Sequence, residues 1–297
     1  MPDNPSEHSL KKPPLTYDQQ IELLKSRNLI IKNEDFAKRI LSHVNYYRLS
    51  GYSLHLRHND VFHEGVTFEG IYQIYQFDKK LRYLLLDLIE TVEISFRTHI
   101  AYYLAHKYGP FSYLESSFFE NEKHHLQFLE EFEKQVTRNH NKELFVRHHT
   151  NLYEGKFPVW VATELFSFGM LSRFFSNLKK HDKDAISKVH YTFPSVYITT
   201  WLRSLGTLRN TCAHYCRLYN KYYNDTPKLP SEAKENDIQY NGLYANIYIL
   251  KFLIDDRDKW TSFIINLEAL MQEYNAVDIS LLGFPEDKDW VKLLKKA

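Results

Sequence analysis

The chain has 297 residues, of which 43% are hydrophobic and 25% charged, and a formal net charge of +1. This is the make-up of a folded globular protein, and it excludes a generally basic chain that binds nucleic acid through its overall field. Only 9 glycines and 10 prolines interrupt it, while 22 tyrosines and 20 phenylalanines supply large rings to bury, so a mainly α fold is expected. No run of about 18 apolar residues is present, which argues against a membrane-spanning helix. The polar start, MPDNPSEHSLKKPPLTYDQQ, has no apolar signal region, so a cytoplasmic location is expected.

Residues 1–15 read as a disordered, Pro-rich arm. TYDQ then fits a capping box, with Thr16 as N-cap and Gln19 three residues on. Asn33 is placed to cap a second helix with Phe36, Ile40 and Val44 at helical spacing. These helices define a small N-terminal unit over 16–55, and the remainder, 56–297, is read as one all-α domain with C-terminal helices. RLSGYSLHLRHNDVFHEG is irregular, with one or two short extended pieces. From Thr67 a helical stretch without proline runs for about 40 residues, roughly 60 Å if straight, so a break or bend is expected before Gly109-Pro110 ends it. A charged helix follows over 121–140. VWVATELFSFGMLSRFFSNL after Pro158 reads as one helical piece, then HDKDAISKVH, then a long helix FPSVYITTWLRSLGTLRNTCAHYCRLYN. After a polar loop, LYANIYILKFLI and KWTSFIINLEALMQEY are two more helices, with a short element in LLGFPEDKDWVKLL.

The helix containing RNTCAHYCRLYN raises the question of function. At about 100° per residue, Trp201, Leu205, Leu208, Cys212, Tyr215 and Tyr219 share one arc of roughly 80°, the expected buried stripe. Arg203, Asn210, His214 and Arg217 share the opposite arc, and Asn210 and His214 are neighbours at i and i+4. Arg209 lies at the border of the apolar stripe, from which its long side chain can curve toward His214. Guanidinium neighbours oppose a zinc ion but suit a phosphate, whose oxygens match the donor fork of arginine. A histidine beside a phosphodiester can move protons near neutral pH, and RNA supplies its own nucleophile in the 2′-hydroxyl. The competing reading of the same face is a solvated surface without function. Glu93 and Arg97, i and i+4 on the long helix, read equally as a surface ion pair. Glu164, set within apolar residues, is expected to have a structural partner. His124, His125, His140, His148 and His149 do not have the spacing of a metal site, and no metal or cofactor is expected. Cys212 and Cys216 suggest no disulfide.

RNTCAH resembles the R-x4-H motif of HEPN-domain ribonucleases, often written RNxxAH. Around it, LSHVNYYRLSGY, TFEGIYQIYQFDKKLRYLLLDLIETVEISFRTHIAYYLAHKYGPFSYL, FPVWVATELFSFGMLSRFF, WLRSLGTLRNTCAHYCRLYN and LLGFPEDKDW stand in the order seen in the Abi family. These are the AbiD/AbiF-like abortive-infection proteins of bacterial phage defence, and the resemblance covers nearly all of residues 13–293. The chain departs from many relatives at Tyr215, where a second histidine is usual, and at Tyr219, where tryptophan is common.

The resemblance implies an all-α, HEPN-like helical bundle and RNA as target. It implies a metal-independent endoribonuclease in which Arg209 and His214 are catalytic, Asn210, Glu93 and Arg97 support them, and Arg203 and Arg217 contact RNA. HEPN nucleases pair two motifs across a dimer. RTHIAYYLAH, starting at Arg97, lacks the spacing of a second copy, so a homodimer is expected. Some relatives are encoded beside a small non-coding RNA, which makes such an RNA a possible inhibitor or guide. The alternative is a non-catalytic RNA-binding or interaction module of a toxin–antitoxin-like system. A weaker third reading has the N-terminal helices bind DNA.

Overall fold

The computed structural model describes residues 13–295, and among these the fold is all-α apart from one two-stranded hairpin. The arm expected over 1–15 lies largely outside the described residues. Two compact units are present. One holds the described residues up to Lys79 together with Tyr274–Val277. The other holds Lys80–Glu273 and the described residues from Asp278 onward.

In the first unit, helix α1 (Tyr17–Ser26) opens with a complete capping box. Thr16 Oγ1 accepts the Gln19 N–H at 3.2 Å, and Gln19 Oε1 accepts the Thr16 N–H at 2.9 Å. Helix α2 (Glu34–His43) is capped by Asn33, which accepts the Phe36 N–H at 2.9 Å. Ile21 and Leu24 of α1 and Ala37, Ile40 and Leu41 of α2 are buried, so the two short amphipathic helices shield each other's apolar faces. Helix α3 (Tyr46–Ser50) leads through a 3-10 turn, Gly51–Leu56, into β1 (Arg57–His58) and β2 (Val61–Phe62), an antiparallel pair. The extended pieces expected here are this hairpin.

Helix α4 (Phe68–Tyr108) is 41 residues long and unbroken, so of the break or bend expected within it the break is absent. Thr67 Oγ1 accepts the Gly70 N–H at 3.0 Å at its start. With no proline inside it, nothing interrupts the hydrogen-bond ladder until Gly109, at φ +94°, turns the chain before Pro110.

The second unit is built on the later part of α4, whose Leu81, Leu85, Ile89, Val92, Phe96 and Ile100 are all but fully buried. Around it come α5 (Glu122–Asn139), α6 (Leu144–Leu152), α7 (Val159–Ala162), α8 (Phe168–Asn177), α9 (Lys180–His190), α10 (Ser195–Ala213), α11 (Ser231–Glu235), α12 (Leu243–Leu253), α13 (Arg257–Glu273) and α14 (Trp290–Leu294). The stretch read as one helix after Pro158 is three elements. The preceding 3-10 turn ends where Phe166 becomes extended, and Ser167 caps α8 by accepting the Met170 N–H, a signal missed in a run of apolar residues. Phe128, Phe132, Phe166 and Phe174 form a ring cluster with centroids 4.8–6.4 Å apart. Helix α10, whose last turn carries the RNTCAH motif, packs on α8, α9 and α12. The C-terminal residues are tied in at Gly283, whose Cα lies 3.0 Å from where a Cβ on Gly242 would stand. Among the described residues no helix is long and apolar enough to cross a membrane.

Candidate functional site

Helix α10 buries Trp201, Leu202, Leu205, Leu208 and Cys212. Polar bonds fix its rotation: the Trp201 indole N–H donates to the Lys228 carbonyl at 2.7 Å, and Ser204 Oγ donates to the Asp225 carbonyl at 2.9 Å. The apolar stripe read from the sequence is therefore present along the helix. It does not continue beyond it.

The helix ends at Ala213, and His214 is its C-cap rather than an interior residue. The Tyr215 N–H donates to the Cys212 carbonyl at 3.0 Å and the Cys216 N–H to the Thr211 carbonyl at 2.9 Å. This is a Schellman ending, and Tyr215 occupies the left-handed position, φ +57°, that glycine usually fills. The expected shared face of His214 and Arg217, and the burial expected for Tyr215, are thus corrected. Past residue 214 the angular spacing of a helix no longer applies. Tyr215 is 61% exposed, whereas Leu218 and Tyr219 are buried because the chain turns back into the core. The buried Arg82 supports that turn, donating to the Cys216 carbonyl at 3.3 Å.

Arg209 is half-exposed and lies against α4. Its Nε is 3.6 Å from Glu93 Oε2. Glu93 is itself buried, and its other oxygen accepts from Arg97 at 2.6 Å. Arg97 also donates to the Phe166 carbonyl at 2.8 Å, so the carboxylate is held from one side by a largely shielded, doubly bonded guanidinium and from the other by a more exposed one. The pair at i and i+4 on the long helix is therefore largely shielded, and it reaches the motif on α10. Asn210 is exposed, and its Oδ1 accepts a long bond from Arg209 at 3.4 Å. His214 is exposed, with no side-chain hydrogen bond or ion pair among the described residues.

The structure does not bring the other two cations to this cluster in the same way. Arg203 is exposed but paired with Asp225 at 3.3 Å, and Asp225 also accepts from Thr207 Oγ1 at 2.7 Å. Arg217 is half-buried off the helix, and its Nη1 is buried without a partner. Asp225 and Arg82 were missed in the sequence because their contacts are long-range: one is in a polar loop, the other in an apolar helix. Glu164 is exposed on a 3-10 turn, not the partnered residue expected within its apolar surroundings. His125 is buried and bonded through Nε2 to the Tyr113 carbonyl at 2.8 Å, and no cluster of His, Cys, Asp or Glu able to hold a metal is found among the described residues. Neither Cys212, which is buried, nor Cys216, which is exposed, is in a disulfide.

Chemically, the arrangement offers an arginine backed by a buried carboxylate and, at the following helix end, an unencumbered imidazole. A family model described as Abi-like protein matches residues 39–220, a stretch that includes both Glu93–Arg97 and Arg209–His214. The chain belongs to the Abi-like protein family. Membership suggests a part in abortive infection, the defence of bacteria against phage. The matched stretch of this Abi-like chain ends at Asn220, just beyond the point where Leu218 and Tyr219 re-enter the core. No curated protein and no solved structure matches the chain.

Proposed function

We propose that this Abi-like protein is a metal-independent endoribonuclease of the HEPN type that acts in phage defence. The observation that carries the reading is the buried Glu93 carboxylate of α4, shared by Arg97 and by Arg209 of α10, the helix that ends in the unpartnered His214. Arg209 binds a non-bridging oxygen of the scissile phosphate and stabilises the charge that builds there. His214 removes the proton from the ribose 2′-hydroxyl. The 2′-oxygen bonds to phosphorus, the bond to the 5′-oxygen breaks, and the leaving oxygen takes a proton from an imidazolium. The products are a 2′,3′-cyclic phosphate and a 5′-hydroxyl. With one histidine per motif, a homodimer lets one copy act as base and the other as acid. Asn210 orients the phosphate or the imidazole, and Arg203 and Arg217 add contacts to the RNA backbone. A small non-coding RNA acts as inhibitor or guide.

The test is incubation of the purified protein with single-stranded RNA in EDTA. Cleavage should persist, with cyclic-phosphate ends. Arg209→Ala and His214→Ala should each lower the rate by about 10²–10⁴-fold while leaving the melting temperature in place. RNA bound without cutting by the unaltered protein, or cut equally by His214→Ala, would sink the assignment.

A further inference from the structure

The chain that leaves α10 returns a cation to the motif. After the turn at Tyr215 and the burial of Leu218 and Tyr219, Asn220 takes a second left-handed conformation, φ +50°, which asparagine tolerates better than most residues. Tyr223 is then buried, and its N–H donates to the Asn241 carbonyl at 2.9 Å. Lys221 is held between these two fixed points. Its Nζ donates to Thr211 Oγ1 at 3.3 Å and stands 5.2 Å from the centre of the Tyr223 ring. Thr211 lies inside the R-x4-H stretch, so this half-buried ammonium is placed at the motif itself.

Lys221 makes no ion pair among the described residues. Carboxylates that reach α10 are engaged with other cations: Asp225 with Arg203, and Glu93 with Arg97 and Arg209. Capping the helix does not account for the lysine either. The carbonyls of Asn210, Thr211 and Cys212 already accept the N–H groups of His214, Cys216 and Tyr215. Lys221 instead bonds a side-chain hydroxyl whose own proton goes to the Thr207 carbonyl. One ammonium N–H is used in this way, and an ammonium has three, so two remain for an anion. Position decides which anion. At about 100° per residue, Thr211 stands about 200° round the helix from Arg209, and His214 falls between them, about 60° short of Thr211. The two cations therefore flank the imidazole from opposite sides of a helix about 10 Å across, and they meet different phosphates.

We infer that Lys221 binds the RNA phosphate next to the scissile one, on the far side of His214 from Arg209, and so sets the register of the strand across the imidazole. The inference rests on the reading of RNA as the target, but it is tested by binding alone. The full-length protein is titrated into a fluorescein-labelled oligouridylate whose riboses carry 2′-O-methyl groups, which blocks any cleavage, over a series of salt concentrations. Lys221→Met keeps an apolar stem over Tyr223 and loses the charge. It should weaken binding about fivefold to tenfold at low salt and lessen the slope of log affinity against log salt by about 0.7, the share of one phosphate on a single strand. Lys221→Arg should restore both. A lysine that only steadied the fold would lower the melting temperature of Lys221→Met and leave the slope in place. Unchanged affinity and slope in Lys221→Met, with Arg209→Ala still weakening the same probe, overturns the inference and leaves the proposed function standing. So does weaker binding with the slope of the unaltered protein. Failure to cut ordinary RNA, with the salt effect of Lys221 intact, removes the nuclease reading and keeps the phosphate contact. An unaltered protein that does not bind the probe overturns both.

Discussion

Tyr215 is the residue on which the geometry of the motif turns. A tyrosine in the left-handed region costs about 1–2 kcal/mol relative to an ordinary conformation, and it is held there by two backbone hydrogen bonds and the burial of the residues that follow. Tyr215→Gly should therefore leave stability unchanged or raise it by up to about 1 kcal/mol, the relief of strain being partly offset by the freer unfolded chain. Tyr215→Val, with a branched Cβ, should lose about 1–2 kcal/mol. Urea unfolding distinguishes the two, and equal losses in both would mean that the ring's contacts outweigh the backbone. Glu93 makes a second prediction at this scale. Glu93→Gln keeps the shape but removes the charge facing Arg97 and Arg209, so it should cost about 2–4 kcal/mol. In the double variant with Arg209→Ala, the losses in cleavage rate should not add, because both changes act on the same guanidinium.

At the scale of elements, caps were legible because they are local. Thr16, Asn33 and Thr67 each bond an N–H a few residues away, and Gly109 stops α4 by its own backbone. The end of α10 was not legible, since its stop signal is a tyrosine rather than a glycine, and the chain beyond keeps helix-forming residues. The i, i+4 relation of Glu93 and Arg97 could be read directly, but the reach of Arg209 to Glu93 depends on how α10 packs against α4, which no local pattern specifies. The contact between α4 and α9 leads to a pH prediction. His99 of α4 stacks on His190 at the end of α9, ring centroids 3.6 Å apart, and its Nδ1 is hydrogen-bonded to the Tyr191 hydroxyl at 2.9 Å. Burial, and secondarily the neighbouring His190, lower the His99 pKa to about 4. Burial lowers that of His190 as well. Both rings are kept neutral in the folded state, while in the unfolded chain they take up protons below about 6.5. Their contribution is therefore complete above that pH and is lost as pH falls toward 4. Denaturant titrations from pH 7.5 to 4.5 should show stability falling, and His99→Phe should flatten that slope. A slope of equal size in the variant would place the acid sensitivity elsewhere.

At the scale of the whole molecule, the all-α class followed from scarce breakers and abundant large rings, and the family match covers residues 39–220 of the 13–293 over which the resemblance was read. What remained out of reach was the set of ties between distant segments. Asp182, fully buried at the start of α9, accepts from Tyr103, Lys107 and Tyr108 of α4 at 2.7–3.2 Å. Asp182→Ala leaves these donors without their acceptor and should cost about 3 kcal/mol, read as a lower unfolding midpoint. Gly283 is a second tie. It sits at φ +81° against Gly242, where a side chain has no room and the backbone no easy alternative. Gly283→Ala should destabilise by at least about 2 kcal/mol, and protease should then cut first in the residues after it. Similar digestion of both proteins would remove Gly283 as an anchor.

Under the proposed function, the sharing of Glu93 has a consequence for substrate exchange. Were Arg209 the carboxylate's sole counter-ion, each arriving phosphate would have to strip it away and leave a naked charge in the protein interior. Arg97, at 2.6 Å, stays behind as a resident chaperone for that charge, so the longer 3.6 Å contact can be surrendered cheaply and remade when product departs. Removing Arg97 should therefore jam the exchange, raising KM more than it lowers kcat.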